Sequence, residues 1–255
     1  MAEERVYFDR IGAHFLKNIY TRPKGKIRLA VLQRDLAPYL QGGRRLRLVD
    51  VGGGAGQMAM WALSLGHEVV LIDHSQAMLN QAQALAEERG LSDRLTLVEG
   101  EAVACLSAQP AQSVDMVFCH ALLEWVEEGG ALLHGCWEVL RTDGLLSLMY
   151  YNRQALVFAQ HVFGNFDYLS DALISKNAAK LTPDFPRECQ QVQTDLSALS
   201  MQLVKTSGVR CFYDYMKKRD KDRNSLEEII ERELALSLER DYWAVARYLH
   251  EIWRR

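Results

Sequence analysis

The stretch Asp50-Val51-Gly52-Gly53-Gly54-Ala55-Gly56 follows one apolar run, and the next apolar run ends at Asp73. Glycine permits positive φ and close backbone approach, so such a turn at a strand end suits a nucleotide-like ligand. A nucleoside triphosphate would need Gly-Lys-Ser/Thr after the turn, and the chain has none there. A dinucleotide's G-x-G-x-x-G would place its last glycine at 57, where Gln57 stands, with glycine at 56 instead. The actual G-x-G-x-G spacing, with an acid on either side, fits a nucleoside that carries a cationic amino acid. Asp50 would attract the cation, directly or through water, and Asp73 would accept hydrogen bonds from both ribose hydroxyls. A turn that merely packs helix on strand would explain the glycines but neither acid.

These residues need a scaffold that brings strand ends together. Apolar strands are predicted at 46–51, 68–72, 95–99, 114–119 and 145–151, with helical stretches such as SQAMLNQAQALAEERG and GGALLHGCWEVLR between them. Repeated βα units imply an α/β fold with a mostly parallel, doubly wound sheet. Two helices, VYFDRIGAHFLKNIY and IRLAVLQRDLAPYL, precede it, with a break at TRPKGK supplied by Pro23 and Gly25. The reading is one domain in four parts: a helical cap over 1–45, a ligand-binding core over 46–152, a substrate-side insertion over 153–188, and a closing segment over 189–255. The insertion is too long for a plain connection and is expected to be partly helical. A helix near 189–200, two short strands about the Ser207-Gly208 turn, and an amphipathic helical tail from Leu226 to Trp253 complete the prediction.

Composition narrows the partners. With 49% hydrophobic and 25% charged residues, the 255-residue chain matches a globular protein. No apolar run reaches the roughly 20 residues of a membrane span, and the start MAEERVYFDR does not resemble a signal peptide, so a cytoplasmic protein is expected. Five scattered cysteines form no C-x-x-C pair and seven histidines show no i, i+4 pairing, so neither a metal site nor a disulfide framework is expected. A net charge of −3 announces no global field for nucleic acid, although a local basic face is compatible with it.

The glycine motif and the acid ending strand two resemble the class I S-adenosylmethionine-dependent methyltransferases. GEAVACL, VDMVFCHALLEWV and VLRTDGLLSLMYYN extend the resemblance, although the usual Arg-Pro-Gly-Gly before strand five is Arg141-Thr142-Asp143-Gly144. The resemblance implies a Rossmann-like seven-stranded sheet and S-adenosyl-L-methionine as cofactor. It further implies that Gly52, Gly53, Gly54 and Gly56 face the methionine part, Asp73 the ribose, and Met78 and Ala102 the adenine. His120 would lie near the ligand or the methyl acceptor.

The flanks NIYTRPKGKIR, ALLEWV, LMYYN, GNFDY, LTPDFP and GVRCFYDY resemble the bacterial tRNA 5-carboxymethoxyuridine methyltransferases over nearly the whole chain. That resemblance implies esterification of a wobble-uridine carboxylate in the tRNA anticodon stem-loop, with Arg28 on the cofactor's carboxylate. A carboxylate is ionised at neutral pH and needs no general base, and no base constellation is evident. No residue is firmly assigned to catalysis; His120, Tyr151 and Asn152 are the candidates. Tyr150, Tyr151, Asn152, Phe166 and Tyr168 are expected to shape the acceptor pocket. Lys24, Lys26, Lys176, Lys180 and Arg210 are expected to contact tRNA, and KKRDKDR at 217–223 reads as a solvated face. Competing readings are a methyltransferase of a small carboxylate, hydroxyl or amine, and a non-catalytic RNA-binding module on the same fold. A nicotinamide oxidoreductase is disfavoured by Gln57.

Overall fold

The computed structural model describes residues 22–167 and 183–255. The first predicted helix, Tyr168, Lys176 and Lys180 lie outside the described residues.

Seven strands make one sheet: β1 (Arg47–Val51), β2 (Glu68–Asp73), β3 (Leu95–Glu99), β4 (Val114–His120), β5 (Leu140–Tyr151), β6 (Gln202–Val209) and β7 (Tyr248–Arg254). Their order is β3-β2-β1-β4-β5-β7-β6. The first five pair in parallel, while β7 runs antiparallel to both β5 and β6. The parallel strands are joined by α2 (Gln57–Ser64), α3 (Gln76–Glu88), α4 (Ala102–Ser107) and α5 (Gly129–Val139). Strands buried on both faces, such as Val-Asp-Met-Val-Phe-Cys in β4, carry near-continuous apolar runs for that reason. Two apolar clusters cover the two faces of the sheet. Neighbour order reverses between β1 and β4, so a crevice opens at the carboxyl ends of these strands. Asp50, Asp73 and His120 all stand at or next to those ends.

Before the sheet runs α1 (Pro23–Leu40). Pro23 does not break this helix but begins it, since a proline at the first helical position gives up an N–H that would be unpaired anyway. Gly25 is buried inside it. The insertion contributes α6 (Arg153–Phe163), and α7 (Cys189–Ala198) follows it.

Three further expectations are corrected. β5 starts at Leu140, because Arg141-Thr142-Asp143-Gly144 is a kink within the strand: Asp143 adopts φ 61°, and the β4–β5 register shifts between Val114 and Met116. Residues 202–209 form one uninterrupted strand with Ser207 and Gly208 inside it, not two strands about a turn. The tail is α-helical only over α9 (Leu226–Leu236), after a short α8 (Lys218–Arg223); a 3-10 helix follows at Arg240–Val245, and the end is strand β7. His250 and Glu251, within the expected helical tail, are both buried in β7 and bonded to other chain segments.

Among the described residues no helix is long and apolar enough to cross a membrane. None of their His, Cys, Asp and Glu side chains cluster in threes as a metal site.

Candidate active site

Each glycine of the turn has its own steric duty. A Cβ on Gly53 would sit 2.7 Å from the Asp50 carboxyl, so the backbone can lie directly on that side chain only as glycine. Gly54 adopts φ +56°, and its amide donates to Asp73 Oδ2 at 2.8 Å. The Ser75 amide donates to the other oxygen, Oδ1, at 2.9 Å. Asp73 is thus fixed at the rim of the turn, and each oxygen, with two lone pairs, can accept once more.

Beside the turn lies a cavity of about 630 Å³, within the range of small-molecule and cofactor sites. Gly52, Gly54, Asp73, Met78, His120, Arg28, Tyr151, Lys24 and Arg210, all singled out from sequence, line it. Asp50 lies beneath Gly53 and is 2% exposed; Gly56 caps α2, and Ala102 opens α4 and packs against the core. None of these three is a wall residue of the cavity, so their expected contact with a ligand is at most indirect.

Two predicted pocket residues are corrected. Tyr150 is fully buried in the core on the opposite face from Tyr151, near Cys189 and Glu251, and burial pushes its hydroxyl pKa well up. Successive strand residues face opposite sides, so only one of the two tyrosines can reach the cavity. Asn152 caps α6 through the Gln154 amide and donates to the carbonyls of Trp243 and Ala246, each at 3.0 Å. Its amide group is thereby committed to holding the chain that enters β7.

The electrostatics are uneven. Arg22, Lys24, Arg28, Arg210 and Arg247 bring five basic side chains to the wall. Lys24 Nζ is 2.7 Å from Asp214, and Arg210 Nη2 lies 2.6 Å from the other oxygen of that carboxylate. Burial would raise Asp214, but Arg210 and Lys24 pull its pKa down to about 2. Arg28 and Arg210 stand over the Tyr248 ring at 4.8 and 5.4 Å, and Arg247 stands over Tyr151 at 4.6 Å. Such cation–π contacts hold guanidinium groups in place against the aromatic faces, and Arg210 is fixed further by Asp214, which accepts from its Nε at 2.7 Å.

The buried acids behave oppositely. Burial, with the nearby charge of Asp73, raises Asp50 to about 7, and burial also raises Asp73. Glu124 on the cavity wall is raised by burial to about 7, although Arg28 and Arg187 act against the rise. Neither Glu124 carboxyl oxygen meets hydrogen-bond geometry with a described residue. Burial holds His120 well below the ordinary imidazole range, and the charge of Arg28 acts in the same direction.

Several wall residues escaped the sequence reading. Glu124 stood inside the quoted ALLEWV without a role. Tyr213, on the wall, and Asp214, which pairs with Lys24 and Arg210 behind it, stood inside GVRCFYDY in the same way. Arg247 and Tyr248 were assigned to a helical tail, and only recognition of β7 could have brought them to the site. Lys26, an expected tRNA contact, is exposed outside the cavity wall; Phe166, expected in the acceptor pocket, is 62% exposed and does not line the cavity; and 217–223 contains no buried residue, as a solvated face should.

A methyltransferase-domain family model matches residues 49–148. The chain is 37% identical to the tRNA 5-carboxymethoxyuridine methyltransferase of Escherichia coli (strain K12), over 95% of this chain and 94% of that protein. A ubiquinone biosynthesis O-methyltransferase of Xanthomonas axonopodis is 31% identical, but over only 46% of this chain and 48% of its own length. Magnesium protoporphyrin IX methyltransferase from Synechocystis, solved with bound SAH, shares the fold: TM-score 0.69 at 15% identity, covering 100% of this chain and 99% of that one. The match to the Escherichia coli enzyme spans both the sheet core and the flanks that build the basic wall, and the chain belongs to the tRNA 5-carboxymethoxyuridine methyltransferase family.

Proposed function

We propose that this protein transfers the methyl group of S-adenosyl-L-methionine to the carboxylate of 5-carboxymethoxyuridine at the tRNA wobble position, forming the methyl ester. The observation that carries this reading is the junction of two chemistries in one cavity: a glycine turn with a ribose-ready Asp73 beside a wall of basic side chains. The cofactor supplies a sulfonium-bound methyl. Asp73 accepts the ribose hydroxyls, Gly52 and Gly54 bring backbone close to the methionine part, and Met78 packs on the base. Asp50 acts from beneath the turn as a source of negative potential, and Arg28 pairs with the methionine carboxylate.

The acceptor carboxylate is drawn to the remaining basic groups, such as Arg247 over Tyr151; Arg210 adds positive charge while its Nε and Nη2 are held by Asp214. Its attack on the methyl forms an O–C bond as the S–C bond breaks, so a carboxylate and a sulfonium become two neutral products. Charge annihilation of this kind is favoured where water is excluded and the reactants are aligned, and it needs no proton transfer. The chain's part is therefore to bind, align and dehydrate. Lys24 and the 153–188 insertion would meet the anticodon stem-loop, with Lys176 and Lys180 as phosphate contacts, and the cytoplasm is the compartment in which tRNA is available to it.

Incubation with tRNA bearing 5-carboxymethoxyuridine and methyl-labelled S-adenosylmethionine, followed by nucleoside mass spectrometry, tests this reading. One labelled methyl, released by mild alkali, is the expected result. Cofactor binding without that product would redirect the acceptor to another molecule.

A further inference from the structure

A polar chain leaves the cavity and runs across three strands to α1. His120 Nε2 on β4 lies 2.7 Å from Ser147 Oγ on β5. Ser147 Oγ is 2.8 Å from His250 Nε2 on β7, and His250 Nδ1 is 2.9 Å from Asp35 Oδ2 on α1. Asp35, Ser147 and His250 are no more than 1% exposed. His120 lines the cavity, and its Nδ1 is buried with no hydrogen-bond partner among the described residues.

The protons in this chain can be placed one at a time. Asp35 Oδ1 accepts from Arg34 at 2.7 Å and from Lys205 at 2.6 Å, so the carboxylate is ionised and can only accept. His250 Nδ1 must therefore carry a hydrogen. The groups that face His250 are Asp35 with its two cations, Ser147, the His120 ring at 5.8 Å, and Ser207, its register partner on β6, whose hydroxyl already accepts from Arg34 at 3.1 Å. One carboxylate shared by two cations leaves no buried negative charge to balance a third cation, so His250 is neutral and its Nε2 accepts. Ser147 has a single hydroxyl hydrogen and gives it to His250. Its oxygen is then left to accept from His120, whose Nε2 must be protonated and whose Nδ1 must bear a lone pair.

We propose that Asp35, His250 and Ser147 are positioning residues that lock His120 as the Nε2–H tautomer, so that its Nδ1 accepts a hydrogen bond from an N–H or O–H of the bound ligand. If the methyl acceptor is a carboxylate, as proposed above, His120 cannot hold it, because an ionised carboxylate brings only lone pairs. The donor comes from the cofactor's ammonium or hydroxyls, or from the uridine N3–H. His120 thus orients a reactant and takes no proton from the acceptor.

Imidazole nitrogen NMR on the full chain, with ¹⁵N-labelled histidine and the His120 signals assigned through His120→Gln, reads the tautomer directly. The expected pattern is a protonated Nε2 and a bare Nδ1 on His120, and a mixture of tautomers in Ser147→Ala. In that variant S-adenosylhomocysteine affinity falls about 3- to 10-fold if the donor belongs to the cofactor. Instead, KM for tRNA rises by a similar factor at unchanged cofactor affinity if the donor belongs to the nucleoside. Ser147→Thr, which keeps the hydroxyl, should retain the wild-type tautomer; if it does not fold, Ser147→Ala decides alone. A protonated Nδ1 in the wild type, or a Ser147→Ala protein with unaltered tautomer, affinity and KM, overturns the proposal. Failure to methylate 5-carboxymethoxyuridine would sink only the acceptor assignment, since the nitrogen spectrum and cofactor affinity are read without tRNA.

Discussion

The amide of Gly54 donates to the carboxylate of Asp73 across 2.8 Å, which ties the turn after β1 to the end of β2. The same carboxylate that is offered to a ribose therefore also fixes the loop that would lie along the rest of the cofactor. Asp73→Ala removes both functions. Isothermal titration should show S-adenosylmethionine affinity about 10- to 100-fold weaker, the range for losing a charged acceptor. Unchanged affinity would take Asp73 out of the site.

Lys24 neutralises Asp214 from a half-exposed position, with 54% of its side chain accessible. Lys24→Ala should raise KM for tRNA and flatten its dependence on salt, while cofactor affinity stays within about twofold. If the tRNA parameters match those of a variant at Arg45, exposed just before the amino end of β1, the entry path has been put in the wrong place.

Asp50 and Glu124 are each raised to about 7. For an acid with a folded pKa above its unfolded value, the ligand-free protein loses stability as pH rises from about 4 through about 7. A cationic cofactor favours ionised Asp50, so its binding should expel protons in this window. The rise in Tm caused by S-adenosylmethionine is expected to be larger at about pH 8 than at about pH 6, as thermal shift assays would show. Equal shifts at both pH values would mean that Asp50 and the cofactor do not communicate.

Asn152 holds the Trp243 and Ala246 carbonyls and caps α6. Asn152→Ala should cost about 1–3 kcal/mol of stability by urea denaturation. At low temperature, where the variant remains folded, kcat should stay within a few-fold of wild type. A collapse of kcat in fully folded protein would return Asn152 to the chemistry.

The parallel half of the fold was legible because its strands are buried on both faces and separated by glycine-marked turns; β3 even has the predicted limits, 95–99. The antiparallel half was not. Tyr248–Arg254 carries His250 and Glu251, whose burial is compensated by partners such as Asp35 and Gln193, distant in sequence. A local pattern cannot report such compensation, so the segment read as an amphipathic helix. The site divided along the same line. Residues attached to the parallel strands, such as Asp73 and His120, could be placed from spacing, whereas Arg247 and Tyr248 depend on β7 being where it is. Tyr150 and Tyr151 show the finest limit: the type of residue was informative, but only strand parity decides which of the two sees the cavity.

β7 is the last of the seven strands in sequence, yet it lies between β5 and β6. During synthesis on the ribosome β6 therefore emerges without a neighbour, and β5 presents an open edge until residues 248–254 clear the exit tunnel. Arg247, Tyr248 and His250 arrive with that strand, so the basic wall and the tether behind His120 come into being at the same moment as the sheet is closed. A nascent chain of this protein can bury most of its core and still have no working pocket.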